Sequence, residues 1–458
     1  MTGAPDSLTE TASALKPRAS WREAMAVYLQ PRVLIVLFLG FSSGLPLALS
    51  GSTLLVWMRE SGVDLGTIGL FALVGTPYTL KFIWAPLVDA LHIPGFTKVF
   101  GRRRGWLVFS QLLLIVAILL LALTDPARSP LFVALGALLV AATSATQDIV
   151  VDAFRVESLP ESEQAAGMAS YVAAYRVGML VSTAGALFIV SAFESTGLMR
   201  STAWMWGYVV MAAMVLIGTV TALLATEPEQ SARTEAATSA ESAFTRVTNA
   251  AIGAFSEFLS RKDAWAALAF VVLYKFTDAF SGTMTAPFVI DLGFSRNDYA
   301  AIVKGVGLAA TLIGGFAGGY LARAYSLPAS LWIGGVLQAI ANLSFSWLAI
   351  VGVNQWALAL AITAENFTSA IGTVIFVAYL SALCKNPLHT ATQYALLTAL
   401  AAVGRTYLSS GAGYVAKATG WPLFFVICVV VAVPSLILLM WLQRRGHFDG
   451  LGEKSPNN

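Results

Sequence analysis

Charged side chains are scarce in this sequence of 458 residues. They make up 12% of it, while hydrophobic residues make up 57% and the mean hydropathy is +0.74. Soluble domains carry about twice that charged fraction, and a water-facing surface cannot be built from so few polar side chains. The composition therefore excludes a soluble globular protein and indicates an integral membrane protein. The net charge of +3 is too small to indicate nucleic acid binding.

Cysteine and histidine are rarer still, with two and three residues. None of them has the spacing of a metal or redox site, and the chain has neither a GxxxxGKS/T phosphate loop nor a GxSxG motif. We therefore expect no cofactor, no bound metal, no ATP-driven pump and no enzyme. An intramembrane enzyme that uses Asp148 and Asp152 is the alternative. Residues 1–20 are polar and lack the apolar core of a signal peptide.

Long apolar runs take up most of the chain. A run of about 20 residues crosses a bilayer as a helix, so the sequence predicts an all-α integral membrane protein with twelve transmembrane helices. They cover residues 32–58, 65–91, 106–125, 131–158, 163–192, 203–225, 264–291, 299–323, 329–351, 354–384, 390–416 and 420–443. The polar segment 227–263 divides them six plus six. We therefore expect an N-terminal half (1–226, with a tail at 1–31), this linker, a C-terminal half (264–444) and a tail at 445–458.

The basic residues predict the orientation of these spans. Most of the 28 lysines and arginines lie on the side of the two termini and the linker, and the positive-inside rule makes this the cytoplasmic side. The opposite side holds Arg59, Arg128, Arg200, Arg296 and Lys417. We therefore expect a multi-pass protein in the lipid bilayer with both termini in the cytoplasm.

Charged side chains well inside the predicted spans cost at least about 2.5 kcal/mol each, so they are functional candidates. They are Lys81, Asp148, Asp152, Arg176, Lys275, Asp278, Lys304, Glu365 and Arg405. Three pairs recur at similar offsets in the two halves: Lys81 with Lys304, Asp148 with Glu365, and Arg176 with Arg405. Spans 1 and 7 are also both interrupted by glycine and proline, at 44–46 and 282–287. Matched breaks in an internal repeat are typical of secondary transporters, whose substrate site lies between the repeats.

The buried carboxylates are the candidates for proton coupling, because no histidine lies in the membrane interior. They are Asp148, Asp152, Asp278 and Glu365. Asp148 and Asp152 are spaced i,i+4, so both lie on one helix face, where their mutual repulsion favours proton uptake. Asp152 could instead be locked in a structural pair with Arg155, Arg176 or Lys81.

Two further carboxylates leave alternatives open. Lys275 and Asp278 are spaced i,i+3, which favours an intrahelical ion pair. Glu365 has no local partner in the sequence and suits either a proton carrier or a partner of Arg405. The sequence does not decide between proton and sodium coupling.

Five of these nine charges are cations, which favours an anionic or zwitterionic substrate. Arginine binds carboxylate or phosphate through a planar fork, so Arg176 and Arg405 are the first candidates for substrate contact. The other candidates for substrate binding are Lys81, Gln147, Tyr175, Lys275, Lys304, Asn366 and Gln393.

Several strings of this sequence resemble the AmpG-type muropeptide permeases, which are bacterial inner-membrane members of the major facilitator superfamily. They are GFSSGLPLALSGSTLLVWM (40–58), VGTPYTLKFIWAPLVD (74–89), GRRRGW (101–106), TQDIVVDAFRVE (146–157), YKFTDAF (274–280) and TQYALLTALAAVGRTY (392–407). The resemblance implies the major facilitator fold and a monomeric symporter driven by the proton motive force. Its cargo would be N-acetylglucosaminyl-1,6-anhydro-N-acetylmuramic acid, with or without stem peptide, imported from the periplasm for peptidoglycan recycling, with an influence on β-lactamase induction.

The resemblance also implies a cytoplasmic gate made of Asp89, Arg102, Arg103 and Arg104, although the string at 101–105 suits a simple positive-inside anchor as well. Thr76-Pro77 departs from the family pattern, and we expect Pro77 to bend span 2 beside Lys81. The alternatives are an acetyl-coenzyme A transporter, since that group has a similar QDxxxD string in span 4, and a transporter-like sensor that binds cell-wall fragments without moving them.

Overall fold

A computed structural model describes residues 26–85, 88, 91–228, 259, 262–383, 390–449 and 451. Within these residues the secondary structure is helical, without a β-strand. The membrane helices are α1 (Pro31–Glu60), α2 (Leu65–Leu80), α3 (Arg102–Ala122), α4 (Pro130–Ser158), α5 (Ala166–Ser195), α6 (Arg200–Leu224), α7 (Ala264–Asp291), α8 (Arg296–Ala322), α9 (Leu327–Val351), α10 (Gln355–Leu383), α11 (Thr390–Val403 and Ala412–Thr419) and α12 (Trp421–Arg444).

Each predicted span overlaps one of these helices, and the largest difference is in span 2, predicted to end at residue 91, where α2 ends at Leu80. Ten of the described helices are long and apolar enough to cross a membrane. The other two are α2, which is a shorter apolar helix, and α11, which is interrupted between its two segments. The all-α membrane fold is therefore confirmed, and the helices are consistent with twelve spans. The division into two halves at 227–263 stays a prediction, because most of that linker lies outside the described residues.

Successive helices run in opposite directions, so the bundle has two ends. The terminal end contains the start of α1 and the end of α12. The distal end contains the turns that follow α1 and α7, at 61–64 and 292–295. These two names are used below.

Glycines bring the backbones of α1 and α5 into direct contact. A Cβ atom added at Gly40 would lie 2.6 Å from the backbone oxygen of Tyr171, and one at Gly44 would lie 2.1 Å from that of Tyr175. From the other side, a Cβ at Gly178 would lie 2.3 Å from the backbone oxygen of Phe41. Small residues permit such close helix packing in membranes. This contact fixes the backbone of α5 where it carries two predicted site residues.

Four helices contain a π-helical segment. The π-helical segments are Leu49–Thr53 in α1, Val181–Gly185 in α5, Tyr299–Val306 in α8 and Gly404–Leu408 in α11. In α1 the backbone leaves the helical region at Gly51, with φ −101° and ψ −113°. The interruption predicted at 44–46 is therefore present, but it lies a few residues further along the chain.

The predicted interruption of span 7 is wrong. α7 is α-helical from Ala264 to Asp291 with Pro287 inside it, because a membrane helix tolerates the loss of one backbone hydrogen bond when its surroundings satisfy the freed carbonyl. Span 2 behaves as expected at Pro77. This residue lies between two 3-10 segments, Phe71–Gly75 and Lys81–Ile83, so the helix is irregular beside Lys81.

Candidate transport site

A cavity of about 700 Å³ lies between the two halves of the bundle. Helices α1, α2 and α5 line it from one half, and α7, α8, α10 and α11 line it from the other. All four π-helical segments contribute to its wall. The charged residues that line it are Arg176, Asp278, Lys304, Glu365 and Arg405. These five belong to the nine intramembrane charges that the sequence singles out, so they share one water-accessible space.

Arg176 and Arg405 face this cavity from opposite halves. Both side chains are exposed, and neither has an ion-pair partner among the described residues. Lys304, the third cation of the wall, lies 5.3 Å from the centre of the Tyr299 ring. The two guanidinium groups are therefore free to bind a carboxylate or phosphate that enters between the halves.

The carboxylate of Asp278 in the C-terminal half is bound on both oxygens. Lys275 Nζ lies 2.6 Å from Oδ2, and the hydroxyl of Ser369 donates to Oδ1 at 2.7 Å. Lys275 also donates to the hydroxyl of Thr373 at 2.9 Å. The intrahelical pair favoured by the i,i+3 spacing is present, and it neutralises Asp278.

Glu365 occupies a different environment from Asp278, although both line the cavity. Its Oε2 accepts a hydrogen bond of 2.9 Å from Asn366 Nδ2, and Thr311 donates to Asn366 Oδ1 at 3.2 Å. Lys275 and Lys304 lie close enough to interact with its charge. No ion pair is formed by Glu365 within the described part of the chain.

Asp148 in the N-terminal half is buried, with 6% of its surface exposed. The hydroxyl of Ser43 is directed at its carboxyl, and Lys81 and Asp152 are near enough to interact with its charge. Its Oδ1 has no hydrogen-bond partner among the described residues. Asp152 is different, because its side chain is 49% exposed and lies 3.9 Å from Arg155. The pairing with Arg155 that the sequence left open is thus present, and the two aspartates have unequal surroundings.

Several predicted site residues do not line the cavity. They are Asp148, Asp152, Lys81, Tyr175 and Lys275. Gln147 is fully buried between α4 and α1, where its Nε2 donates to the hydroxyls of Ser42 and Ser43 at 3.5 and 3.4 Å. Asn366 does line the cavity. The side chain of Gln393 lies outside the described residues.

The predicted gate arginines make their described contacts within the N-terminal half. Arg103 binds Glu157 of α4 through Nε at 2.9 Å and through Nη2 at 2.5 Å. Arg102 also approaches Glu157, at 3.5 Å, and Arg104 donates to the carbonyls of Ala222 and Leu223 at 3.1 and 2.6 Å. This cluster joins α3 to α4 and α6 at the terminal end. Asp89, the fourth gate residue, lies outside the described residues.

A second charged cluster, at the distal end, joins the two halves. Arg296 at the start of α8 is 6% exposed and its Nε lies 2.8 and 3.0 Å from the carboxylate oxygens of Glu60 on α1. The same guanidinium reaches Glu194 of α5 at 3.0 and 3.1 Å and stacks 5.4 Å from the ring of Trp204. Arg59 forms an ion pair with Asp291 of α7. These five charged residues are called the distal ion-pair network below.

Further contacts at the distal end bring α2 against α11. A Cβ at Gly413 would lie 1.8 Å from the backbone oxygen of Leu65, so the two backbones touch. Lys417 lies 3.6 Å from Asp64. The hydroxyl of Thr67 donates to Asp64 at 2.5 Å, and this bond, together with Lys417, holds the pKa of Asp64 below its ordinary value. Four ion pairs between described residues join the halves, and all four lie at this end.

Comparison with known proteins agrees with this architecture. The profile of the Major Facilitator Superfamily matches residues 36–407. The chain belongs to this superfamily. It is 40% identical over 417 residues to the anhydromuropeptide permease of Escherichia coli K12, a match that covers 91% of this chain and 80% of that protein. The resemblance to the AmpG-type permeases is therefore confirmed.

Solved structures show the same superfamily fold at low sequence identity. A POT family transporter in complex with a thioalcohol-conjugated peptide superimposes with a TM-score of 0.65 at 13% identity, covering 92% of this chain and 96% of that one. A D-xylose-proton symporter gives 0.63 at 13% identity, covering 90% and 97%. In such folds the substrate site lies between the repeats, and the cavity of this protein lies between its two halves.

Sequence reasoning finds the charges of this superfamily member's cavity but not the distal ion-pair network. Arg59 and Arg296 enter the sequence argument only as evidence for orientation. Their acidic partners lie at the ends of spans, where a charge costs little free energy, so the sequence argument does not single them out. The sequence does hold one signal for this network: spans 1, 5, 7 and 8 all carry an acidic or basic residue at their distal ends.

Proposed function

We propose that this protein imports anhydromuropeptides from the periplasm to the cytoplasm across the bacterial inner membrane, by symport with protons. The cargo is N-acetylglucosaminyl-1,6-anhydro-N-acetylmuramic acid with or without its stem peptide, and the process serves peptidoglycan recycling. The observation that carries the proposal is the 40% identity to the anhydromuropeptide permease of Escherichia coli over 91% of this chain. By the same argument the protein works as a monomer and influences β-lactamase induction.

The chemistry of the cavity supports this cargo. A stem peptide adds carboxylates to a sugar body. On opposite walls, the cavity offers the guanidinium groups of Arg176 and Arg405, which form no ion pair with any residue that the structure describes. Asn366, Thr311 and Ser369 supply hydrogen-bonding groups for sugar hydroxyls. A pocket with a few convergent polar groups on a largely apolar wall is the common form of a small-molecule site.

Proton coupling is assigned to Asp148 first and to Glu365 second. A coupling carboxylate has to change its charge during the cycle, so a permanent ion-pair partner would oppose its role. Asp278 has such a partner in Lys275, at 2.6 Å, whereas Asp148 and Glu365 have none within the described residues. Asp148 also lies behind the cavity wall next to Tyr78, which lines the cavity and is close enough to feel its charge. A proton from the cavity can therefore reach Asp148 past one side chain.

The orientation proposed for transport places the terminal end in the cytoplasm. The distal ion-pair network then closes the periplasmic side of the cavity, so this conformation is one that has finished import or awaits a new cycle. Cargo entry requires these ion pairs to separate. Protease added to sealed vesicles tests the orientation: cleavage within 226–263 from the cytoplasmic face agrees with it, and cleavage from the other face contradicts it.

The function is tested with purified protein in proteoliposomes under an imposed proton gradient. We expect accumulation of labelled anhydro-disaccharide that collapses with the gradient and is competed by anhydromuropeptides but not by acetyl-coenzyme A. Competition by acetyl-coenzyme A with accumulation of that compound would reassign the cargo. Saturable binding of the disaccharide without accumulation would identify a sensor instead. An imposed sodium gradient is the control for the coupling ion.

A further inference from the structure

A group of buried polar side chains lies inside the N-terminal half, away from the cavity. Gln111, in the middle of α3, is 0% exposed, and neither its Nε2 nor its Oε1 has a hydrogen-bond partner among the described residues. The same holds for Gln147 Oε1, Ser144 Oγ and Asp148 Oδ1 on α4. The described ion pairs and hydrogen bonds of the cavity make no use of Gln111.

Geometry places these groups in one continuous row. A Cβ added at Gly218 of α6 would lie 2.3 Å from Ser42 Oγ and 2.6 Å from Gln111 Nε2. Both atoms therefore lie against the backbone of this glycine. Ser42 in turn accepts from Gln147 Nε2 at 3.5 Å. Ser43 joins Gln147, at 3.4 Å, to the carboxyl of Asp148. The row therefore runs from α3 through α1 to the carboxylate on α4.

Unpartnered amide and carboxyl atoms in a membrane interior have a large desolvation cost. A buried water molecule removes this cost when it has two to four polar partners, and the row supplies more than that number. The groups are a carboxylate, hydroxyls and two amides that offer donors as well as acceptors, which suits water. Gly218, which has no side chain, allows Ser42 Oγ and Gln111 Nε2 to lie against its backbone.

We propose that bound water occupies the interior of the N-terminal half between Gln111, Gln147 and Asp148, and that Gln111 holds this water as a positioning residue for proton coupling. The proposal rests on the proposed function, in which Asp148 carries the proton. Water on this side gives the charged carboxylate the hydrogen bonds that its Oδ1 lacks in the protein. Asp148 can then lose its proton without moving into the cavity.

The C-terminal half provides an internal comparison. Gln338 lies in the middle of α9, the third helix of its half, and is 6% exposed. It lies near the carboxyl of Asp278, and its Nε2 has no hydrogen-bond partner among the described residues. There Lys275 and Ser369 already bind both carboxylate oxygens. A glutamine at a comparable depth therefore lies beside an acid that forms an ion pair of 2.6 Å with an ammonium group, whereas the row of Gln111 ends at Asp148, which forms no ion pair within the described residues.

The experiment compares Gln111→Met with Gln338→Met, since methionine matches the size of glutamine and makes no comparable hydrogen bond. Purified variants are reconstituted, and cargo exchange is measured against pH with equal pH on both sides. In Gln111→Met the charged carboxylate loses its water, so we expect the midpoint of the pH dependence to move to higher pH by about one unit, a tenfold change in the protonation equilibrium. Gln338→Met should leave the midpoint in place, whatever its effect on the rate.

A second readout does not depend on transport. The carboxyl stretching band that Asp148→Asn removes from the infrared spectrum is titrated in both variants, and it should show the same displacement in Gln111→Met alone. Gly218→Ala adds a methyl group against Ser42 Oγ and Gln111 Nε2 and so displaces the row from the other side. It should repeat the displacement of the band, and it decides the matter if Gln111→Met does not fold.

Three results overturn the proposal. An unmoved midpoint in both Gln111→Met and Gly218→Ala, with Asp148→Asn still unable to accumulate cargo, refutes the water site and leaves the proposed function intact. An equal displacement in Gln338→Met makes the effect unspecific. Full gradient-driven accumulation by Asp148→Asn refutes the coupling role itself and the inference with it.

Discussion

Replacing Arg296 by glutamine is expected to open the distal end of the bundle. Its guanidinium is 6% exposed and is shared between Glu60 and Glu194, with four contacts between 2.8 and 3.1 Å. The substitution leaves two carboxylates facing each other without a cation between them. Glu194 keeps its pair with Arg200, at 3.2 Å, so part of the loss is offset.

The magnitude follows from the burial of this pair. Removing one partner of a buried ion pair costs about 3–5 kcal/mol, and the 27% exposure of the Glu194 side chain places this case at the lower end. A loss of about 3 kcal/mol, confined to the state with a closed distal end, shifts the ratio of closed to open protein by about a hundredfold. The population that is open at this end would then rise by up to the same factor.

Thiol labelling measures this shift directly. Cys384 and Cys428 are first replaced by serine, and Thr283, which lines the cavity, is replaced by cysteine. A membrane-impermeant maleimide added from the distal face should label this cysteine much faster in Arg296→Gln than in the parent. The matched control is Arg128→Gln at the same end, where the arginine is 88% exposed and pairs at 3.3 Å with Asp125 of its own half. Unchanged labelling in Arg296→Gln, or equal acceleration in Arg128→Gln, would refute the reasoning.

Three further predictions concern the cavity and its support. Neutralising Arg176 or Arg405 should raise the KM for peptide-bearing cargo about tenfold or more, because a charge-assisted hydrogen bond is lost, and should affect the bare disaccharide much less; paired KM measurements check this. Asp148→Asn should abolish gradient-driven accumulation. Asp152→Asn should change it at most about fivefold, since the pair of Asp152 with Arg155 is half-exposed. Uptake under an imposed proton gradient measures both variants. Gly44→Ala should cost about 2 kcal/mol and reduce uptake, because its Cβ would collide with the backbone of α5 at 2.1 Å; thermal unfolding and uptake together measure it.

Each of these three has an outcome that contradicts it. Equal KM changes for both cargoes argue against carboxylate recognition by the arginines. Comparable loss in both aspartate variants removes the distinction drawn from their burial. Gly315→Ala is the control for the glycine, because nothing lies within 4 Å of the atom it adds, and an equal loss there would show that any added methyl group is harmful.

The spans and the cavity charges were accessible to sequence reasoning because both depend on the cost of exposing the wrong group to lipid. A run of twenty apolar residues can be recognised as a membrane helix without knowing what packs against it. A charge such as Arg176 is recognised because placing it inside the bilayer costs free energy. The pair of Lys275 with Asp278 was accessible too, since an i,i+3 spacing fixes the distance between two side chains within one helix.

Contacts between helices were beyond the same reasoning. The sequence predicts Gln147 as a substrate-binding residue, yet its Nε2 donates to hydroxyls of α1, and only the packing of α1 against α4 determines this. The distal ion-pair network needs the knowledge that the turns after α1, α5 and α7 meet. The continuity of α7 through Pro287 likewise depends on what surrounds the freed carbonyl.

The π-helical segments of α1, α5, α8 and α11 have a consequence for motion. Each of them inserts a wider turn with i→i+5 hydrogen bonds, so the part of the helix beyond it is offset in rotation from the part before it. Such a turn is a joint at the depth of the cavity, and the four joints surround the cavity from both halves. The distal parts of α1, α5 and α11 can therefore swing while their terminal parts stay packed, so the halves bend within their helices instead of turning as rigid blocks.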